Sequence, residues 1–134
     1  MSDFAKVKDI RAGTTLYIVY AFPELGGQGG GELWIEPIHV KNKPFLYDHR
    51  GAYARKFWMF DSANDIHPLE DINVVPNTYN FHQLFKCERG ARRYLNRING
   101  GRFTPSEQQK LVRLAESEAR TMATWGFEPD YEPE

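Results

Sequence analysis

A single cysteine, Cys87, in 134 residues excludes an internal disulfide and any zinc site built on several thiolates, so the chain fits a reducing compartment. Long apolar runs are missing too. The longest, "LYIVYAF" at residues 16–22, is far too short to span a bilayer, and the opening "MSDFAKVKDIRAG" lacks the apolar region of a signal peptide. These absences predict a cytoplasmic protein with no membrane contact.

Catalytic and cofactor signatures are equally scarce. Ser2, Ser62, Ser106 and Ser117 all stand outside a Gly-x-Ser-x-Gly elbow. "GGQGGG" at 26–31 has neither a Gly-Lys-Ser/Thr ending nor dinucleotide-binding spacing, and it reads as a hairpin loop. His39, His49, His67 and His82 show no metal-ligand spacing, and "DSANDIHPLED" lacks the glycine and terminal glutamate of a calcium loop. The expectation is therefore no catalytic residue, no metal and no cofactor. An enzyme remains an alternative on one condition: two or more of Asp48, His49, His67, His82 and Cys87 must converge in a pocket. A cleft that gathers them would replace a binding-only reading.

What is abundant is aromatic surface and clustered charge. Nine Phe, seven Tyr and three Trp make 14% of the chain, enough for one aromatic core in a chain of single-domain size. The net charge of -1 conceals an alternation. Residues 1–81 carry eight Lys/Arg against ten Asp/Glu, residues 82–113 eight against two, and residues 114–134 one against six. A basic segment flanked by acidic ones suits either a partner or the protein's own acidic end.

The periodicities predict an α+β fold: a bent antiparallel β-meander or small barrel-like sheet of about five strands, followed by two C-terminal helices. "TTLYIVYAF" (14–22), "GELWIEPIHV" (31–40) and "AYARKFWMF" (52–60) read as strands, with "INVV" and "YNFHQLF" as a further pair around Pro76. Pro37 marks an edge strand or a bulge. The stretch from Arg50 resembles the strand motif of RNA-recognition domains over eight residues. Ala52 stands where that motif places a stacking aromatic, and the order of elements differs, so a sheet core accounts for these aromatics without RNA.

The first helix spans about 88–98, with Ala91, Tyr94, Leu95 and Ile98 on one face and "NGG" as its stop. In "TPSE", Thr104 takes the N-cap, Pro105 the first helical position and Glu107 the third, which starts a second helix running to about Trp125. Leu111, Val112, Ala115, Ala119 and Met122 give it an apolar stripe. Both helices are expected to pack on the sheet within one domain, 1–127. The remaining "EPDYEPE" (128–134) is expected to be a flexible acidic tail unless a basic surface holds it.

On the first helix Arg89, Arg93 and Arg97 stand four residues apart on one strip, and the neighbouring Glu88 is spaced to pair only with Arg92. Lys86, Arg102 and Lys110 extend the patch. Either the patch is a solvated basic face with a loose tail, or its answering charge is a protein or nucleoprotein partner, nucleic-acid phosphates, or the acidic tail. The near-neutral total weighs against a general DNA binder. The reading is a small non-enzymatic binding protein that uses Arg89, Arg93 and Arg97 first, and Arg92, Arg102, Lys86 and Lys110 next. A nucleic-acid-binding module using the same arginines is the alternative. Its compactness, aromatic wealth and lack of catalytic motif resemble the small accessory or inhibitor proteins that phages encode to block or redirect host machinery, a likeness that rests on no motif and assigns no residue.

Overall fold

The structure, a computed structural model, describes residues 3–22, 33–48, 56–63 and 65–124. Six strands and two α-helices follow in order: β1 (Thr15–Ala21), β2 (Leu33–His39), β3 (Phe45–Asp48), β4 (Lys56–Asp61), β5 (Ile66–Pro68), β6 (Gln83–Phe85), α1 (Glu88–Asn99) and α2 (Pro105–Thr124). The strands form two antiparallel three-stranded sheets, ordered β2-β1-β6 and β3-β4-β5. The fold is α+β as the sequence predicts, and the sheets do not close into a barrel. They meet at a bridge between Val40 and Ser62, flanked by bonds from Lys41 N–H to the Asp61 carbonyl (2.8 Å) and from Ala63 N–H to the His39 carbonyl (3.0 Å).

Strand β1 sits at the centre of the first sheet because both of its faces are apolar. Leu16, Ile18 and Tyr20 face the second sheet, and Tyr17, Val19 and Ala21 face the helices. Ile18 and Val19 are both fully buried. Between the sheets, Ile18 meets Ile10, Ile38, Phe60, Leu69, Ile72 and Leu84. On the other face, Val19 meets Phe81, Phe85, Ala91, Tyr94 and Ile98. Each such side chain contributes about 1.5–3 kcal/mol on burial, so neither layer is dispensable. Pro37 lies in the edge strand β2, opposite Tyr17, where its missing N–H costs no ladder bond.

The short strands depart from the sequence expectation. "INVV" forms no strand: Glu70–Ile72 is a single 3-10 turn, and Asn73 then takes the left-handed conformation (φ 56°). Three asparagines hold this loop. Asn73 Nδ2 donates to Asn80 Oδ1 (3.0 Å) and to the His82 carbonyl (2.7 Å), and Asn77 Oδ1 accepts from the N–H groups of Tyr79 and Asn80 (2.9 and 3.0 Å). Such side chains replace ladder bonds with local ones. Consequently only Gln83–Phe85 of "YNFHQLF" is a strand. "FLYD" and "IHP", which carry turn residues in or beside them, pair with β4 instead.

Helix α1 packs on the first sheet through Gly90, Ala91, Tyr94 and Ile98. Helix α2 does so only in its first half. Leu111 and Leu114 join the core beside Phe103, whereas Val112 and Ala119, expected in the apolar stripe, are exposed, and every described side chain from Glu116 to Thr121 faces solvent. The expected packing of the whole second helix on the sheet is therefore corrected. The "GGQGGG" loop, the Arg50–Arg55 stretch, His49, the C-terminal limit near Trp125 and the acidic tail lie outside the described residues.

The N-terminal segment straps α1 down. Ala5 N–H donates to the Leu84 carbonyl (2.9 Å) and Lys86 N–H to the Asp3 carbonyl (3.0 Å), so residues 3–5 run beside β6. Gly90 permits this, because a Cβ there would stand 2.6 Å from Asp3 Cβ. Gly90→Ala should push the strap away and cost about 1–3 kcal/mol in urea unfolding. Asn96→Ala, on the exposed side of the same helix, should stay within about 0.5 kcal/mol of the parent.

Candidate functional site

Helix α1 starts after Cys87, which takes an extended backbone as N-cap, and it places Glu88 in its first turn and Arg97 in its last, as the helix dipole favours. Its orientation is fixed by Tyr94, whose hydroxyl donates to the Phe81 carbonyl at 2.7 Å. Burial pushes the Tyr94 phenol well above its ordinary range, with Glu107 acting in the same direction and Arg97 against it.

The three arginines of the strip have different surroundings. Arg97 forms a fork on Glu107, with Nη1 to Oε1 at 2.6 Å and Nη2 to Oε2 at 2.9 Å. Its Nη1 also reaches the Arg102 carbonyl (2.9 Å), and the guanidinium lies 5.4 Å from the centre of the Tyr94 ring. Glu107 in turn accepts from Thr104 N–H (2.9 Å), while Thr104 Oγ1 accepts from Glu107 N–H (3.2 Å). The expected capping box is formed, and the same carboxylate locks α1 to α2. Burial acts to raise the Glu107 carboxyl, but the bonds from Arg97 and Thr104 prevail and hold it below the usual range. The Arg97 guanidinium is raised by that bond.

Arg93 pairs with Asp3 at 2.7 Å and Arg92 with Glu88 at 2.6 Å, as the spacing predicts for the latter. Their side chains remain 64% and 67% exposed, against 26% for Arg97. Arg89 and Lys86 are exposed and make no ion pair with a described residue. Lys110 is half-buried, its Nζ 3.3 Å from Asn73 Oδ1 and 5.1 Å from the centre of the Phe81 ring, and burial lowers its ammonium below the ordinary lysine value. Thus the acids that answer Arg93 and Arg97 come from residues 3 and 107, remote in sequence from both.

Three of the expected site residues converge. Arg93, Arg97 and Arg102 line a pocket of about 280 Å³ that also involves Phe4, Phe85, Gly90 and Tyr94. Phe4 stands edge-on to both Phe85 (5.2 Å) and Tyr94 (6.0 Å), so aromatic rings and arginine side chains line the same pocket. Lys86, Arg89, Arg92 and Lys110 do not line it. Nothing in the sequence pattern tied Phe4 to this surface, because only pairing with β6 brings it there.

A second cleft, of about 360 Å³, opens beside the second sheet. It is lined by Tyr20, Asp65, His67, Asp71, Tyr79 and His82, among others. Two of the five residues named for convergence, His67 and His82, line this cleft, but among the described residues no hydrogen bond or ring contact joins them, so they are not brought together as the enzyme alternative requires. Asp48 ends β3, and Cys87 precedes α1. His82 Nδ1 accepts from Ala21 N–H at 3.0 Å, which leaves the proton of the neutral ring on Nε2. Burial lowers both imidazoles below their ordinary value, opposed at His67 by Asp65, Glu36 and Asp61 and at His82 by Asp71, while Lys110 lowers His82 further. Among the described residues no group of three His, Cys, Asp or Glu could hold a metal ion, and no helix is long and apolar enough to cross a membrane.

With this geometry in hand, comparison places the chain. The model of the family described as "Phage g100-like protein" matches residues 4–98, and the chain belongs to that family. No curated protein and no solved structure matches it. The match spans both sheets and nearly all of α1, and it stops before α2.

Two measurements check the electrostatics. Glu107→Ala should cost about 2–3 kcal/mol in urea unfolding, since it removes a charge-assisted fork and half a capping box. Glu107→Gln, which keeps an acceptor for Thr104, should cost about half as much. Unfolded histidines titrate near about 6.5, and His67 and His82 titrate lower when folded. The unfolded state therefore binds protons first, so their contribution is complete above about 6.5 and is lost as pH falls through the folded values. Urea unfolding from pH 7.5 down to about 5 should show that loss, with a shallower slope for His82→Gln.

Proposed function

We propose that this phage g100-like protein is a small cytoplasmic accessory protein that binds a protein partner through the outer surface of α1, inserting no group of its own but accepting one. The observation that carries the reading is the aromatic pocket lined by Arg93, Arg97 and Arg102. Tight protein interfaces depend on an apolar anchor seated in a pocket, with charge at the margin setting orientation and encounter rate. The partner it suits presents an apolar side chain flanked by carboxylates.

Exposure divides the labour among the cations. Arg92 and Arg93 are mostly in solvent, where an ion pair is worth about 0–1 kcal/mol. Arg92 can exchange Glu88 for a partner's acid at little cost, and Arg93, whose partner Asp3 is only 23% exposed, keeps most of its own guanidinium in solvent for a second acid. Arg89 and Lys86 have no intramolecular pair to give up. Arg97 and Lys110 serve chiefly to hold the surface, because their bonds run inward. A protein is favoured over single-stranded nucleic acid by the position of the free aromatics. Phe22 and Trp34 are exposed, but they cluster with Tyr20 and His82 on the sheet side away from α1, so among the described residues the arginines have no open stacking platform beside them.

The test is capture from nuclease-treated host-cell extract by the immobilised full chain, alongside Arg89→Glu and Arg93→Glu forms with unchanged urea midpoints. The reading predicts a discrete protein retained by the parent, released by salt, and lost with either variant. It fails if retention is indifferent to both substitutions. It also fails if labelled DNA or RNA binds the parent with a steep salt dependence while no protein is retained.

A further inference from the structure

We propose that the cleft lined by Tyr20, Asp65, His67, Asp71, Tyr79 and His82 is a second binding site, independent of the α1 surface, and that its ligand is a small organic cation bearing aliphatic ammonium groups. Its volume, about 360 Å³, is within the range of small-molecule sites. Two carboxylates line it and no lysine or arginine does. Lys110, whose charge acts on His82, is not among the lining residues.

The negative field is registered by the groups already there. The Tyr20 phenol is pushed up to about 12 by burial, then by Glu36 and Asp65. Carboxylates likewise act to raise both imidazoles, although burial keeps them neutral. A phosphate or carboxylate ligand would meet repulsion here, and an ammonium would meet attraction.

A buried, unsatisfied nitrogen points the same way. His67 is only 5% exposed, and its Nε2 lies 3.1 Å from Ser62 Oγ. Ser62 Oγ also stands 3.1 Å from the Asp65 carbonyl, and in the tautomer that donates Nε2–H to Oγ the ring presents Nδ1 as an acceptor. Nδ1 has no partner among the described residues. Orphaned buried acceptors are rare and ask for a donor, which an ammonium supplies. Aromatic walls suit the same ligand: Tyr20 stacks on Trp34 at 5.1 Å and meets the His82 ring edge-on at 5.1 Å. A metal ion is the poorer match, since the described residues offer no set of three ligands.

The experiment is a two-dimensional amide NMR titration of the full chain with putrescine, with acetyl-lysine amide, and with butanediol as the uncharged isostere. Saturable shifts at Tyr20, His67, Asn80 and His82 are expected with an amine and not with butanediol. The ratio of the two amine affinities distinguishes a free diamine from a lysine side chain of another protein. Asp65→Asn and Asp71→Asn keep their acceptor oxygens and should each weaken binding about tenfold. Should either variant unfold, added salt must weaken binding to the parent. The proposal is overturned if neither amine shifts these residues, if butanediol shifts them equally, or if affinity is unmoved by both the substitutions and salt.

Discussion

The fold depends on one strand being buried on both faces. Strand β1 carries Ile18 toward the second sheet and Val19 toward α1, and neither retains accessible surface. An antiparallel sheet more often leaves one face to water. Here two separate layers are required, and the chain supplies them in sequence: the β3-β4-β5 sheet first, then the helices. Each candidate site lies in the seam of one layer. The arginine-lined pocket belongs to the helical seam and the imidazole cleft to the inter-sheet seam, and their linings carry opposite charge.

Parts of this were legible in the sequence for identifiable reasons. Strand β1 is an unbroken β-branched and aromatic run, helix α1 has a consistent helical period, and the "TPSE" start of α2 announces its capping box by residue type alone. Pro37 marked an edge strand or a bulge, and it lies in the edge strand β2. By contrast β3, β5 and β6 are three or four residues long, and no periodicity exists over that length. "INVV" shows strand propensity overruled by a left-handed asparagine and two further asparagine side chains.

The candidate site shows the same division. The clustering of arginines was visible, and so was the pair of Arg92 with Glu88, because helical spacing sets both. The partners of Arg93 and Arg97 were not. Asp3 is 90 positions away and arrives by pairing with β6, and Glu107 is 10 positions away and arrives by a turn through Gly101, which has a positive φ of 73°. Sequence reasoning counted charges correctly and could not see which were already spent. His67 and His82 were named individually, and only the fold brings them to one cleft.

The central claim is that the chemically identical arginines of α1 divide into a committed cation, Arg97, and exchangeable ones, Arg89, Arg92 and Arg93. Solvent exchange of the arginine Nη–H protons, through which Arg97 holds Glu107, followed by nitrogen-edited NMR at low and high salt, tests this directly. The account predicts slow exchange at Arg97 that salt does not change, against fast exchange at Arg89, Arg92 and Arg93. Equal exchange at Arg97 and Arg89, or an Arg93 as protected as Arg97, would contradict it.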